Sequence, residues 1–263
     1  MIDVHYKKVN AFGNTKQNDY RFPTTYNIDE EMNTNPNQID RVIFQARFPA
    51  MLEIDKRIDE FQGLLRGRYP NYQRSQPVPS GLGITAIPAI SDHILFTDDG
   101  IWTVTLSVDS VSLTCSKYKD WAEFRTNLNQ VLDALMELFD VKKSNRIGLR
   151  YINAIRPSAT GLKKPQDAVN EKYRNAMETN LESPVNVNMT LSYELTDDIR
   201  GRTVLTEIMF NDGEKGMLVD DDVFIEVQRP IERIKDISDE LNRLSLEVFK
   251  KVTSEDLQKK VIL

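Results

Sequence analysis

A chain of 263 residues, 40% apolar and 28% charged with 11 glycines and 11 prolines, has an ordinary globular balance and enough length to bury a substantial core. Its net charge of −6 supplies no overall field to gather nucleic acid or an anionic membrane, which leaves only a local basic patch for either task. The single cysteine, Cys115, rules out an intrachain disulfide, and the opening MIDVHYKKVN lacks the apolar run of a signal peptide, so a soluble cytoplasmic protein with no membrane span is expected.

Residues 1–37, rich in Asn, Thr, Lys and Asp and closed by NTNPNQ, show no sustained periodicity. They are expected to form an extended or partly ordered N-terminal arm with at most a short strand near YRFPTTYNI. In IDRVIFQARFPA, Val42, Phe44, Ala46 and Phe48 alternate with Ile43, Gln45 and Arg47, the period of a strand with one wetter face. LEIDKRIDEFQGLLRGRYP then sets Ile54, Ile58, Phe61 and Leu65 on one helical stripe, stopped by Pro70. NYQRSQPVPSGLG reads as a loop. Ile84 to Ile90 and His93 to Phe96 lead into TDDG, where Asp99-Gly100 signals a hairpin.

WTVTLSVDSVSLTC changes phase: Trp102, Val104, Leu106 and Val108 are at even positions, Val111, Leu113 and Cys115 at odd ones. A two-residue turn at Asp109-Ser110, pairing Val108 with Val111 and Leu106 with Leu113, restores one apolar face; a β-bulge there is the competing explanation. KDWAEFRTNLNQVLDALMELFD is the clearest helix, with Asp120 as N-cap, Glu123 three residues on, and Trp121, Phe124, Leu128, Leu132, Leu135 and Phe139 as its stripe.

RIGLRYINAIRP follows as a strand. It sets Arg146, Gly148, Arg150, Ile152 and Arg156 on one face, and Ile147, Leu149, Tyr151, Asn153 and Ile155 on the other. Beyond the loop PSATGLKKPQ come a weak polar helix, DAVNEKYRNAMETNLES, and three strands, VNVNMTLSYEL, RTVLTEIMFND and DVFIEVQRP, the last two joined by the turn NDGEKG. A closing helix carries Ile234, Ile237, Leu241, Leu244 and Val248 on one face, and Thr253 and Asp256 suit the cap of a last short turn.

This order predicts an α+β protein, a mainly antiparallel sheet with helices packed on one face. Residues 38–157 form a first half, ferredoxin-like in element order; residues 158–263 form a second half of three strands and the C-terminal helix, packed with the first as one unit.

VIFQARFP, LLRGRYP, FTDDGIWTVTLSVDSVSLTCSKYKDWAEF and RIGLRYINAI occur in this order, and ISDELNRLSLEVFKKVTSEDLQ looks like a closing helix in which LH…F…IT is usual. As an ordered set, over residues 38–258, they resemble a sporadically distributed family of uncharacterised bacterial and archaeal proteins of about this length. The resemblance implies no activity, cofactor or catalytic residue. The family's patchy distribution resembles that of defence and toxin–antitoxin genes, which is an association and not a mechanism. Asn242 departs from the pattern, standing where a His is usual.

The inventory disfavours nucleophile-and-base chemistry. His5 and His93 are the only histidines, Cys115 lies in an apolar strand where an inert buried thiol is expected, and neither GxSxG nor HExxH occurs. No Gly-rich phosphate cradle is present, and SGLG at 80–83 leads into a strand rather than a helix. Two constellations remain. The first is acidic: Asp220 to Asp222, with Asp197 and Asp198 nearby in sequence, could hold Mg²⁺ or Ca²⁺, or could simply be a solvated hairpin end.

The second constellation is basic. If the first strand neighbours RIGLRYINAIRP, then Gln45, Arg47, Arg150, Ile152 and Arg156 share a face opposite the helices, which cover Phe44, Phe48, Leu149 and Tyr151. Gly148 beside Arg150 would leave room for a close approach. Such guanidiniums suit phosphates, nucleic acid or an acidic peptide, unless they pair internally with Glu194, Glu207 and Glu226.

The expected function is a non-catalytic binding or regulatory protein with no cofactor. It recognises a protein partner, nucleic acid or an anionic ligand through the Arg-bearing face or a cleft between halves, with self-association also expected. The alternative is a metal-dependent hydrolase or nuclease using Asp220 and Asp222 with Mg²⁺ or Ca²⁺.

Overall fold

The alternation expected after the arm places β1 (Ile39–Arg47) at the middle of the sheet, with Val42, Phe44 and Ala46 fully buried and Ile43, Gln45 and Arg47 on the wetter face. The structure is a computed structural model that describes residues 38–75, 92–177 and 188–261. The arm at 1–37 with His5, the strand expected over 84–90 and SGLG lie outside the described residues.

A 3-10 turn (Ile54–Lys56) leads into α1 (Ile58–Leu65), and together they bury Ile54, Phe61 and Leu65. β2 (Asn71–Arg74) occupies the start of what composition presents as a loop. It is an edge strand held entirely by β3 (His93–Phe96), about twenty residues away, so no local pattern announces it.

β4 (Trp102–Ser107) and β5 (Ser110–Cys115) form the expected hairpin, but the turn falls on Val108-Asp109, one residue earlier than the sequence suggests. Leu106 therefore faces Val111 and Val104 faces Leu113. The turn is fixed from outside: Phe48 N donates to the Asp109 carbonyl at 2.9 Å and Met51 N to that of Val108 at 2.7 Å. Val108, buried itself, docks there instead of extending the ladder. α2 (Trp121–Leu138) follows with its cap as expected, the Asp120 carboxylate accepting from Glu123 N at 2.9 Å.

β6 (Lys143–Ser144) starts the chain back into β7 (Arg146–Ile155). Two short helices, α3 (Pro157–Thr160) and α4 (Glu171–Met177), precede β8 (Asn188–Glu194), β9 (Ile199–Met209) and β10 (Lys215–Ile225). β11 (Arg229–Pro230) pairs with β6 in a separate two-stranded ribbon. α5 (Ile234–Val252) buries Ile237, Leu241, Leu244 and Val248, and α6 (Glu255–Gln258) is capped by Ser254.

Among the described residues, nine strands make one sheet in the order β2-β3-β4-β5-β1-β7-β10-β9-β8, every neighbouring pair antiparallel. Within residues 38–157, β7-β1-β5-β4 with α1 and α2 on one face has the spatial order of a ferredoxin-like unit, and β3 and β2 extend it. The second half lengthens the same sheet from β7 outward and lays α5 over β7 and β10. One apolar layer between sheet and helices runs through both halves. No helix among the described residues is long and apolar enough to cross a membrane.

Candidate functional site

β1 and β7 are neighbours, with Gln45 opposite Gly148, Arg47 opposite Arg146 and Ile43 opposite Arg150. Gln45, Arg47, Arg146 and Arg150 therefore share the face away from the helices. The structure also brings carboxylates to that face. Arg150 reaches Asp220 with Nε to Oδ1 at 2.7 Å and Nη2 to Oδ2 at 2.5 Å, and Arg146 Nη2 reaches Asp222 Oδ2 at 2.8 Å. Burial pushes the Asp222 carboxyl up, against the opposing pull of Arg146 and Arg150.

The room expected at Gly148 is taken: the Arg146 guanidinium lies across it and over the Phe224 ring at 4.8 Å, and a Cβ at position 148 would sit 2.6 Å from Nη1. Arg47 Nε donates to Gln45 Oε1 at 3.3 Å, and burial with the neighbouring Arg146 lowers its guanidinium pKa.

Arg156 lies apart from this group. It is buried over the Phe210 ring, 3.8 Å from the centroid, and its Nη1 donates to Asp212 Oδ2 and Glu214 Oε2, each at 2.6 Å. It ties the β9–β10 turn to the end of β7. The acidic partners expected, Glu194, Glu207 and Glu226, are replaced in these pairs by Asp220, Asp222, Asp212 and Glu214.

Asp220 and Asp222 do not sit at a hairpin end. β10 begins at Lys215, immediately after the turn, so both fall in mid-strand, where a row of polar letters is tolerated because guanidiniums stand opposite. Asp198 pairs with Arg229 instead of joining them. Among the described residues, no group of three or more His, Cys, Asp or Glu is placed to hold a metal ion.

Because side chains alternate along a strand, the middle residue of the acidic run faces the other way. Asp221 lies in the apolar row of β10, between Val219 and Val223, and is 1% exposed. Its Oδ1 accepts from the Thr203 hydroxyl at 2.5 Å, Thr203 contacts the Tyr193 hydroxyl at 2.9 Å, and Asp221 Oδ2 has no hydrogen-bond partner among the described residues. Burial raises the Asp221 carboxyl to about 7.

This carboxyl borders a cavity of about 300 Å³ under α5. Ile39, Tyr118, Trp121, Tyr151 and Asn153 line it from the first half; Asp221, Asn242, Ser245, Leu246 and Phe249 line it from the second. It is thus a cleft between the halves. The Tyr151 hydroxyl donates to Asn242 Oδ1 at 2.7 Å, and Asn153 Nδ2 donates to the Val219 carbonyl at 3.0 Å. Tyr118 meets Tyr151 edge to face, with centroids 5.6 Å apart. Burial raises the pKa of both tyrosines, so they remain neutral phenols. Trp121 is fixed by its Nε1–H to Asp239 Oδ1 at 2.9 Å, and Lys119 and Asp120 complete the lining.

Asn242 is therefore a cavity residue. Asp221 was concealed in the sequence by its two neighbours. The one signal was the period: as a strand, VDDDVFI puts a single charge in the row Val219, Asp221, Val223, Ile225.

His93 shows the nearest approach to a nucleophile-and-base chain. Its Nδ1 lies 3.0 Å from the Tyr72 hydroxyl and its Nε2 2.7 Å from Asp55 Oδ1. With 2% exposure and both nitrogens engaged, the ring ties β2, β3 and the 3-10 turn together. Cys115 is fully buried and its thiol is pushed up to about 12 by burial, which makes it a poor nucleophile. Compared with known proteins, the chain matches no family model and no curated protein, so the site is read from its own chemistry.

Proposed function

We propose that this protein is a non-catalytic binding module that takes a small ligand in the cleft between its two halves. The observation that carries this reading is the Asp221 carboxyl, buried beside a cavity with one oxygen that no described residue hydrogen-bonds. An unsatisfied buried polar atom costs about 1–3 kcal/mol, so a chain that retains one beside a cavity has a use for it. The cavity's size is at the small end of ligand pockets, and its lining of aromatic walls with a few convergent polar groups is the usual composition of one. Its polar groups are two carboxyls, an ammonium, two amides, a serine hydroxyl, an indole N–H and two neutral phenols, with no thiol or imidazole, which favours holding a molecule over transforming it.

The Arg-bearing face is the weaker candidate for an anionic ligand, because Arg146, Arg150 and Arg156 already hold carboxylates. The same pairs occupy Asp220 and Asp222, so a metal-dependent hydrolase built on those residues gains no support. In the defence or toxin–antitoxin-like setting that the resemblance suggests, the module would sense a ligand on behalf of a protein partner.

A thermal-shift screen of small molecules tests the reading. Compounds that raise the melting temperature of the wild type should fail to do so for Asn242→Phe, which fills the cleft, and should still act on Arg47→Ala. Compounds that stabilise Asn242→Phe and the wild type equally would place binding elsewhere.

A further inference from the structure

We infer that the ligand of this cleft is an organic cation, an ammonium group carried on an apolar or aromatic body. The inference rests on the binding reading above and specifies its chemistry. It starts from an asymmetry in β10. Three successive aspartates are buried or nearly so, and two of them face guanidiniums across the ladder, Asp220 with Arg150 and Asp222 with Arg146. Asp221 faces the cleft, and among the described residues its only hydrogen-bond partner is the Thr203 hydroxyl. No Lys or Arg of the described residues forms an ion pair with it.

The groups around Asp221 do not supply the missing charge. On its own strand the neighbour is Asp220, which adds repulsion. β8 and β9 offer Tyr193 and Thr203, β7 offers Tyr151 and Asn153, and α5 offers Asn242 and Ser245, all uncharged. At the loop before α2, Lys119 and Asp120 oppose each other, with Nζ and Oδ2 3.9 Å apart. Among the described residues, an ionised Asp221 is therefore a negative charge with no cation paired to it. An anionic ligand would meet that charge directly; a cation would complete the pairing that the fold gives to both neighbouring aspartates.

The walls favour the same class. Tyr118, Trp121, Tyr151 and Phe249 line the cavity with aromatic rings, whose negative faces attract a cation that has left water. Ile39 and Leu246 give the remainder an apolar surface for the ligand's body. A carboxylate beside several rings is a combination that holds ammonium groups better than neutral molecules of the same shape.

Calorimetric titration with matched probes tests the class: choline against 3,3-dimethylbutanol, and phenethylammonium against 2-phenylethanol. The cations should bind the wild type roughly ten-fold or more tightly than their neutral isosteres. Asp221→Asn should abolish that preference and leave the neutral probes unchanged, while Tyr118→Leu should weaken cations more than neutrals. Choline carries a permanent charge, so its affinity should rise with pH as Asp221 ionises. Neutral isosteres that bind the wild type as tightly as the cations overturn the cation class and leave the cleft standing. Cations whose advantage survives in Asp221→Asn at full strength overturn it too. If no probe binds while screening compounds still stabilise the wild type and not Asn242→Phe, the cleft stands and the class falls; if neither occurs, both fall.

Discussion

Arg150 grips Asp220 through two parallel hydrogen bonds, Nε to Oδ1 at 2.7 Å and Nη2 to Oδ2 at 2.5 Å, across the ladder between β7 and β10. Asp220 is 4% exposed, so removing the guanidinium takes two charge-assisted hydrogen bonds from a buried carboxylate. Arg150→Met should cost about 3–5 kcal/mol by urea denaturation, and Arg150→Met with Asp220→Leu should recover most of it. A single variant that loses little would mean that the strand does not depend on this pair.

Asp221 gives the stability of the chain a pH dependence of opposite sign to that of a salt-bridged carboxylate. Its folded value, about 7, lies above the ordinary 3.8, so the folded chain keeps a proton that the unfolded chain has released. The resulting stabilisation is fully present below the ordinary value and is lost as pH rises to about 7. Asn is neutral throughout and lacks this slope. Relative to the wild type, Asp221→Asn should gain about 2–4 kcal/mol between pH ~4 and pH ~8, since each tenfold difference in proton affinity between folded and unfolded chains corresponds to ~1.4 kcal/mol. Denaturant melts of both chains across that range measure the difference directly, because contributions from other carboxylates cancel.

Two glycines of the sheet should respond differently to an added methyl. At Gly216 a Cβ would lie 2.7 Å from the Ile155 carbonyl oxygen and also against the Phe210 ring, so backbone must move. At Gly148 the obstacle is the end of the Arg146 side chain, which can swing aside. Gly216→Ala should cost about 3 kcal/mol and Gly148→Ala about 1 kcal/mol, compared by thermal unfolding.

Asp120 caps α2 and also lines the cleft. Asp120→Ala should lower stability by about 1 kcal/mol, while Asp120→Asn or Asp120→Ser should retain most of it. Circular dichroism melts of the three variants distinguish a lost cap from a lost charge.

α2 was legible because cap, period and length agree, with Asp120 at the start and Phe124, Leu128, Leu132 and Leu135 beneath it. β1 and β7 were legible for the same reason, each carrying one apolar and one polar row, and their adjacency gave the shared face of Gln45, Arg47 and Arg150. β2 was not, since an edge strand with no buried side chains depends on its partner's backbone. The turn at Val108-Asp109 was misplaced by one residue because carbonyls taken up by Phe48 and Met51 decide it, and such contacts leave no trace in composition. The acidic run misled for a simpler reason. Acidic letters after a turn suggest solvent, and only the distant Arg146 and Arg150 let β10 continue through them.

The alternation of those three carboxylates also polices how the sheet assembles. Sliding β10 by one residue would turn Asp220 and Asp222 into the oily layer under α5 and bring Val219 and Val223 out among the guanidiniums. An ordinary apolar strand loses little by such an error, but this one would strand two ions at once. The arginines thus act as a check on long-range pairing, because only the native register gives both carboxylates their counter-ions.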